Sequence, residues 1–179
     1  TPHCKFGEQG VCCRICAMGP CRITPKAPRG ICGCDAAGIV ARNYLRFTAG
    51  GASAHSDHGR EICHTLHTVS PDGAYKVKDP DKLIRIAKEW GVETEGKDIY
   101  DLAHEMSELA LLEYGKPFGF QNFIKRAPEH TQEIWAREGI QPRAIDREVT
   151  TCMHMTHMGC SSDHEVLVRQ ALRTGLADG

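Results

Sequence analysis

The sequence predicts a mostly α-helical fold, with a helical domain over 35–179 and an irregular, cysteine-rich loop region over 1–34 at its N-terminal end. Three observations lead there. Seven of the ten cysteines fall within the first 34 residues, among Gly7, Gly10, Gly19, Pro20, Pro25, Pro28, Gly30 and Gly33, which break any regular period. From Asp35 onward, apolar residues recur at steps of three and four behind recognisable caps. No stretch alternates long enough to read as a half-buried strand.

Each helix has its own signal. Asp35 can cap the segment that follows, in which Ile39, Val40, Tyr44 and Leu45 lie on or near one helical stripe. Gly50-Gly51 should interrupt that helix, and a second should run from about Ala52 to Val69 before the turn Ser70-Pro71-Asp72-Gly73. Asp79-Pro80 places a cap before a proline at the first helical position, with Leu83, Ile84, Ala87 and Trp90 in phase until Gly91. Residues 98–114 repeat the pattern with Leu102, Ala103, Met106, Leu109 and Ala110, ended by Gly115-Lys116-Pro117. Two more starts are expected at Ala127-Pro128 and Gln141-Pro142. A last helix, 162–176, should carry Val166, Leu167, Ala171 and Leu172 inward.

The composition excludes several functions. With 22 Lys+Arg against 23 Asp+Glu the chain is nearly neutral, and no basic cluster interleaved with aromatics is present, so nucleic acid is not an expected partner. The apolar runs are too short to cross a bilayer and the first residues lack the apolar core of a signal peptide, so a cytoplasmic protein is expected. Cytosolic thiols stay reduced, and reduced, clustered thiols commonly hold metal.

The spacing Cys13-x2-Cys16-x4-Cys21-x10-Cys32 offers four thiolates on a short irregular loop that returns after two prolines. That arrangement suits a cubane iron–sulfur cluster, whose sulfurs accept backbone N–H groups turned inward by glycines such as Gly19. A structural zinc site is the alternative, although zinc ribbons usually pair two knuckles of similar spacing. Cys4 and Cys12 remain. Cys12 adjoins Cys13, and neighbouring side chains point apart, so this pair belongs to a different centre. Two thiolates are half a cubane's set, which a two-fold dimer would complete; the alternative is that they are free or buried thiols. Cys34 is expected to be a spare thiol, and Cys63, Cys152 and Cys160 buried structural ones.

His55, His58, His64 and His67 form a drifting file on the expected second helix, with Glu61 in its gap. Such a file can pass protons near neutral pH; the alternatives are a solvated polar face or an i, i+3 metal pair. Met153-His154-Met155-Thr156-His157-Met158-Gly159-Cys160 mixes soft and imidazole donors that suit copper or nickel, but helix packing is the expected role.

The segments Cys4-Lys5-Phe6-Gly7-Glu8-Gln9-Gly10-Val11-Cys12-Cys13-Arg14-Ile15-Cys16-Ala17-Met18-Gly19-Pro20-Cys21-Arg22-Ile23, Gly30-Ile31-Cys32-Gly33 and Ala54-His55-Ser56-Asp57-His58-Gly59-Arg60 closely resemble the start of the anaerobic nickel-iron carbon monoxide dehydrogenases. Thr156-His157-Met158-Gly159 and Arg173-Thr174-Gly175-Leu176-Ala177-Asp178-Gly179 extend the resemblance over nearly the whole chain. It implies a homodimeric oxidoreductase that converts CO and water to CO2, protons and electrons, passing the electrons to a ferredoxin-like acceptor. It also implies that Cys13, Cys16, Cys21 and Cys32 hold a relay 4Fe-4S cluster. Cys4 and Cys12 would hold half of a cluster shared across the dimer axis, which is a two-iron cluster in some relatives. His55 matches a histidine beside the nickel-iron centre, and His58 and His64 match members of the outgoing proton path. Glu61 stands where some members have histidine.

Family members continue through two α/β domains that supply the ligands of the nickel-iron-sulfur centre. The resemblance therefore implies that this chain is the first domain of a larger multi-domain subunit, with those ligands elsewhere and no turnover on its own. Two other readings are a hybrid cluster protein, a hydroxylamine reductase with a similar cysteine start, and a stand-alone iron–sulfur electron-transfer module. The doubled Cys12-Cys13 and the segment His55-Ser56-Asp57-His58 favour the dehydrogenase over the hybrid cluster protein.

Overall fold

Asp35 starts the longest element of the protein. In this computed structural model, which describes residues 1–179, its carboxylate accepts the Gly38 N–H at 2.9 Å and opens helix α2, Ala36–His67, of 32 residues. The expected break at Gly50-Gly51 does not occur. Neither glycine adopts a positive φ, and both lie on an exposed side of the helix. Each costs roughly 0.5–1 kcal/mol against alanine, but flanking Ala49 and Ala52 are buried, and α2 packs along α7, α4 and α6. Tertiary packing overrides the local preference.

The helices around α2 are α3 (Pro80–Glu89), α4 (Ile99–Gly115), α5 (Glu129–Arg137), α6 (Ile145–Met155) and α7 (His164–Asp178), with a 3₁₀ turn at Asn122–Arg126. Asp79, Asp98 and Asp163 cap α3, α4 and α7 through their carboxylates, each satisfying N–H groups that no helical carbonyl can reach. The start expected at Gln141-Pro142 is displaced to Ile145. The last helix begins at His164 rather than Ser162.

The core lies where α2, α6 and α7 meet, built from Ala41, Leu45, Ala49, Cys152, Leu167 and Ala171. Fully buried Leu45 and Leu167 each contribute about 1.5–3 kcal/mol relative to exposure. Val40, Tyr44, Val166 and Leu172, expected near or on the buried stripes, face outward instead. Ala87, Leu102 and Met106 form a satellite core between α3 and α4, covered by Trp90, whose ring meets Phe123 edge-on.

Between α6 and α7, Glu148 is completely buried and accepts hydrogen bonds from Arg143 Nε (2.6 Å), Arg143 Nη2 (2.8 Å) and Gln170 Nε2 (2.7 Å). Burial pushes its carboxyl up, but these donors and the Arg143 charge outweigh it and hold the group below the usual carboxylate range.

The first 34 residues are less irregular than expected. One helical turn, α1 (Lys5–Glu8), precedes a two-residue ladder of β1 (Cys12–Cys13) against β2 (Cys21–Arg22). Strands this short leave no period to read.

Candidate metal centre

The ladder sorts the cysteines. Cys13 pairs with Cys21 and Cys12 with Arg22 in antiparallel register. Direct partners project from the same face and successive residues from opposite faces, so Cys13 and Cys21 point together and Cys12 away. The loop between the strands turns back at Gly19, where an added Cβ would lie 3.0 Å from the Cys21 amide nitrogen and 3.1 Å from the Cys13 carbonyl oxygen. Only glycine lets the backbone close so tightly there.

Cys13, Cys16, Cys21 and Cys32 line one small apolar cavity, walled by Ile15, Ile31 and Ile39. Hydrogen-bond donors point at two of the sulfurs: the Ile31 N–H at Cys21 Sγ and Arg42 Nη1 at Cys32 Sγ, each at 3.4 Å. Burial opposes ionisation of Cys32, yet the Arg42 hydrogen bond, the Cys34 backbone and the Arg42 charge lower its thiol below the usual range. No three His, Cys, Asp or Glu side chains close in tightly enough to hold a single ion. Four thiols spaced around an apolar cavity, with N–H donors aimed at sulfur, fit a polynuclear iron–sulfur group better than one zinc ion.

Cys34 lines the same cavity but is 1% exposed, wedged under the start of α2 where an added Cβ on Gly38 would come within 2.5 Å of its sulfur. Burial raises its thiol pKa foremost. Met158 adds to the cavity wall, Met155 packs on the core, and His154 and His157 are exposed. Cys152 is buried and Cys63 half-buried, but Cys160 is exposed, contrary to expectation, because it follows the turn at Gly159 beyond α6.

Cys4 and Cys12 lie outside this cavity. Cys4 is exposed ahead of α1, where the N–H groups of Gly7 and then Phe6 lower its thiol. Cys12 is half-buried, and its carbonyl accepts the Asn43 side-chain amide at 3.1 Å. On the neighbouring turns of α2, Val40, Tyr44 and Phe47 project outward at i, i+4 and i+7, with Phe47 81% exposed.

The histidines divide. His55 donates from Nδ1 to the Asp178 carboxylate at 3.0 Å, and with His58, Cys63 and Tyr114 it lines a cleft of ≈ 430 Å³ between α2, α4 and the end of α7. Burial pushes the Tyr114 phenol up to about 12. His64, nine residues beyond His55 and so about half a revolution around the helix, is exposed outside the cleft. His67 turns toward α4 and donates to Ser107 Oγ at 2.9 Å, with its ring 5.4 Å from that of His104. The structure thus brings His55 and His58 together and sets His64 and His67 apart.

Three functional candidates escaped sequence reasoning. Arg42 reads as an ordinary polar position on a helix. Tyr114 belongs by phase to the end of α4, and Asp178 lies 123 residues from the histidine it holds. No local pattern could have found them.

Comparison with known proteins gives a consistent answer. The model of the Prismane/CO dehydrogenase family matches residues 11–179. Carbon monoxide dehydrogenase 1 of Methanosarcina mazei is 46% identical over 183 residues, covering 99% of this chain and 29% of the relative. Carbon monoxide dehydrogenase 1 of Carboxydothermus hydrogenoformans is 42% identical with the same coverage. The crystal structure of nickel-free carbon monoxide dehydrogenase from Thermococcus sp. AM4 superposes with a TM-score of 0.94 at 46% identity, over 99% of this chain and 29% of that one. The chain spans under a third of the length of these relatives. A helical fold shared with them and a match over nearly all its residues establish that the chain belongs to the Prismane/CO dehydrogenase family.

Proposed function

We propose that this chain is the electron- and proton-relay portion of an anaerobic carbon monoxide dehydrogenase, the enzyme that converts CO + H2O to CO2 + 2 H⁺ + 2 e⁻. One observation carries the reading: Cys13, Cys16, Cys21 and Cys32 face a single cavity beside aimed N–H donors. These four residues would hold a 4Fe-4S cluster, which when bound supplies one-electron storage and transfer without proton movement. The region 1–34 is then the cluster-binding unit and 35–179 its helical support.

Cys4 and Cys12 would contribute half the ligands of a second cluster shared with another copy of the subunit. The outward stripe Val40, Tyr44 and Phe47, on the same side as Asn43 and Cys12, supports a homodimer, because large exposed apolar side chains in a row mark association surfaces. The nickel-iron-sulfur centre would draw its ligands from outside these residues.

His55 and His58 would accept protons in the cleft, the Asp178 carboxylate fixing the His55 ring so that Nε2 faces outward. Steps of three residues turn the file back around α2 by about 60° each. Glu61 and then His64 would thus lead it from the cleft to solvent. No helix is long and apolar enough to cross a membrane, and a cytoplasmic enzyme donating to a ferredoxin-like protein is consistent with that.

Iron, acid-labile sulfide and nickel determination on the anaerobically purified holoenzyme, together with CO-dependent reduction of a dye, tests the proposal. Clusters, nickel and CO-driven dye reduction support it. Redox-active clusters without CO chemistry reduce it to an electron-transfer module, and zinc in place of iron rejects it.

A further inference from the structure

Arg42 is among the largest side chains the protein buries completely, at 2% exposure, and its position in the fold calls for a reason. Burying a guanidinium is costly unless its charge and donors are compensated. Nε donates to the Ser161 carbonyl at 2.8 Å and Nη2 donates to the same oxygen. Nη1 donates to Cys32 Sγ at 3.4 Å. No carboxylate pairs with it among the salt bridges of the chain, although Arg60, Arg126, Arg137 and Arg143 all have one. A buried cation whose partners are one carbonyl and one sulfur is incompletely neutralised, and it stands on the wall of the cavity that Cys13, Cys16, Cys21 and Cys32 surround.

We infer that Arg42 is a positioning residue that sets the reduction potential of the centre held by those four cysteines, donating one N–H to the Cys32 sulfur and placing a fixed positive charge against the cavity. This rests on the proposed function. A reduced iron–sulfur group with its thiolates carries one more negative charge than its oxidised form, and net charge and N–H···S bonds are main determinants of its potential. Arg42 therefore favours the reduced form. Its grip on Ser161 holds the guanidinium fork in place, so the charge cannot swing out to water. Through Arg42, 119 residues earlier in the chain, the 160s segment thereby becomes part of the support for the cysteine loop.

The test is redox titration of the holoenzyme, following the reduced-cluster EPR signal, with iron per subunit measured in parallel. Arg42→Met removes charge and donors, Arg42→Gln keeps a donor without charge, and Arg42→Lys keeps the charge. The expected order is a midpoint near wild type for Lys, more negative for Gln and most negative for Met, at unchanged iron content. Loss of iron from Met and Gln with iron and the wild-type midpoint kept in Lys overturns the assignment, since the charge would then hold the centre together and not set its potential. Wild-type midpoints in every variant that retains iron, or loss of iron from all three, overturns it, since Arg42 would then be inert or merely structural. Absence of the N-terminal cluster signal from the wild-type enzyme itself would instead reject the proposed function on which the assignment rests.

Discussion

Cys13 and Cys21 are direct cross-strand partners, eight residues apart in sequence and on one face of a ladder only two residues long. That pairing turns a loose cysteine spacing into a shaped cavity. It also lets the doubled Cys12-Cys13 face opposite ways, so adjacent thiols can serve different sites without backbone strain.

Removing one of the facing thiols should dismantle the site. Cys21→Ser in the holoenzyme is expected to lower iron by up to about four atoms per subunit while leaving the far-UV helical signal intact, because Cys21 only borders the small Cys13, Cys34 and Ile39 cluster and lies outside the other cores. Unchanged iron would remove Cys21 from the ligand set.

The outward pair has a different signature. Replacing Cys4 and Cys12 together with Ser should cost roughly two iron atoms per subunit, half a cubane, and leave the Cys13, Cys16, Cys21 and Cys32 centre in place. A loss of twice that amount would mean each subunit holds a whole cluster there and would refute sharing.

The His55–Asp178 pair predicts a separation of function from assembly. His55→Ala should reduce CO turnover by roughly 10²-fold, the usual scale for losing a positioned proton-transfer group, with cluster spectra unaltered. Asp178→Asn, which leaves the ring but loosens its orientation, should have a smaller effect in the same direction. Normal turnover in His55→Ala would reject its role.

Glu148 predicts how stability responds to acid. Its carboxyl is held below its ordinary value, so it contributes stability that is complete above the unfolded-state value of about 4.3 and is lost as pH falls through the lower folded value. Glu148→Ala should destabilise the fold by about 3–5 kcal/mol at neutral pH by stranding Arg143. Denaturant melts across pH 3–7 measure both effects; a wild-type stability that does not fall toward the acid end contradicts this account.

Tight packing beneath the loop makes a fifth expectation. Gly38→Ala would drive a methyl to within 2.8 Å of the Ser162 carbonyl oxygen as well as into the Cys34 sulfur, and should cost about 1–3 kcal/mol. A melting temperature at or above wild type would show that the segment around Ser162 yields freely.

The sequence carried the helices best where caps and period agreed. Asp79-Pro80 to Gly91 was fully legible, because the cap, the proline and the apolar spacing all act within one segment. Gly50-Gly51 misled, because the forces that keep α2 continuous come from α4, α6 and α7, distant in sequence. Val166 and Leu172 are apolar and in phase, yet of the four expected inward on that helix only Leu167 and Ala171 found neighbours to bury them. For the candidate site, the four cysteines were visible as a spacing, whereas Arg42 and Asp178 act through contacts spanning more than a hundred residues. Such contacts leave no local trace.

The unbroken run of α2 through Gly50-Gly51 makes one rod of two workplaces, Arg42 near one end and His55 thirteen residues on. At about 1.5 Å per residue their offset along the axis is roughly 20 Å, set by the unbroken helix between them. Its angular phase is fixed as tightly. Inserting a single residue between them would swivel the cleft by about 100° relative to the cysteine loop, so the helix works as an indexing shaft, and the gearing of the two stations tolerates no added tooth.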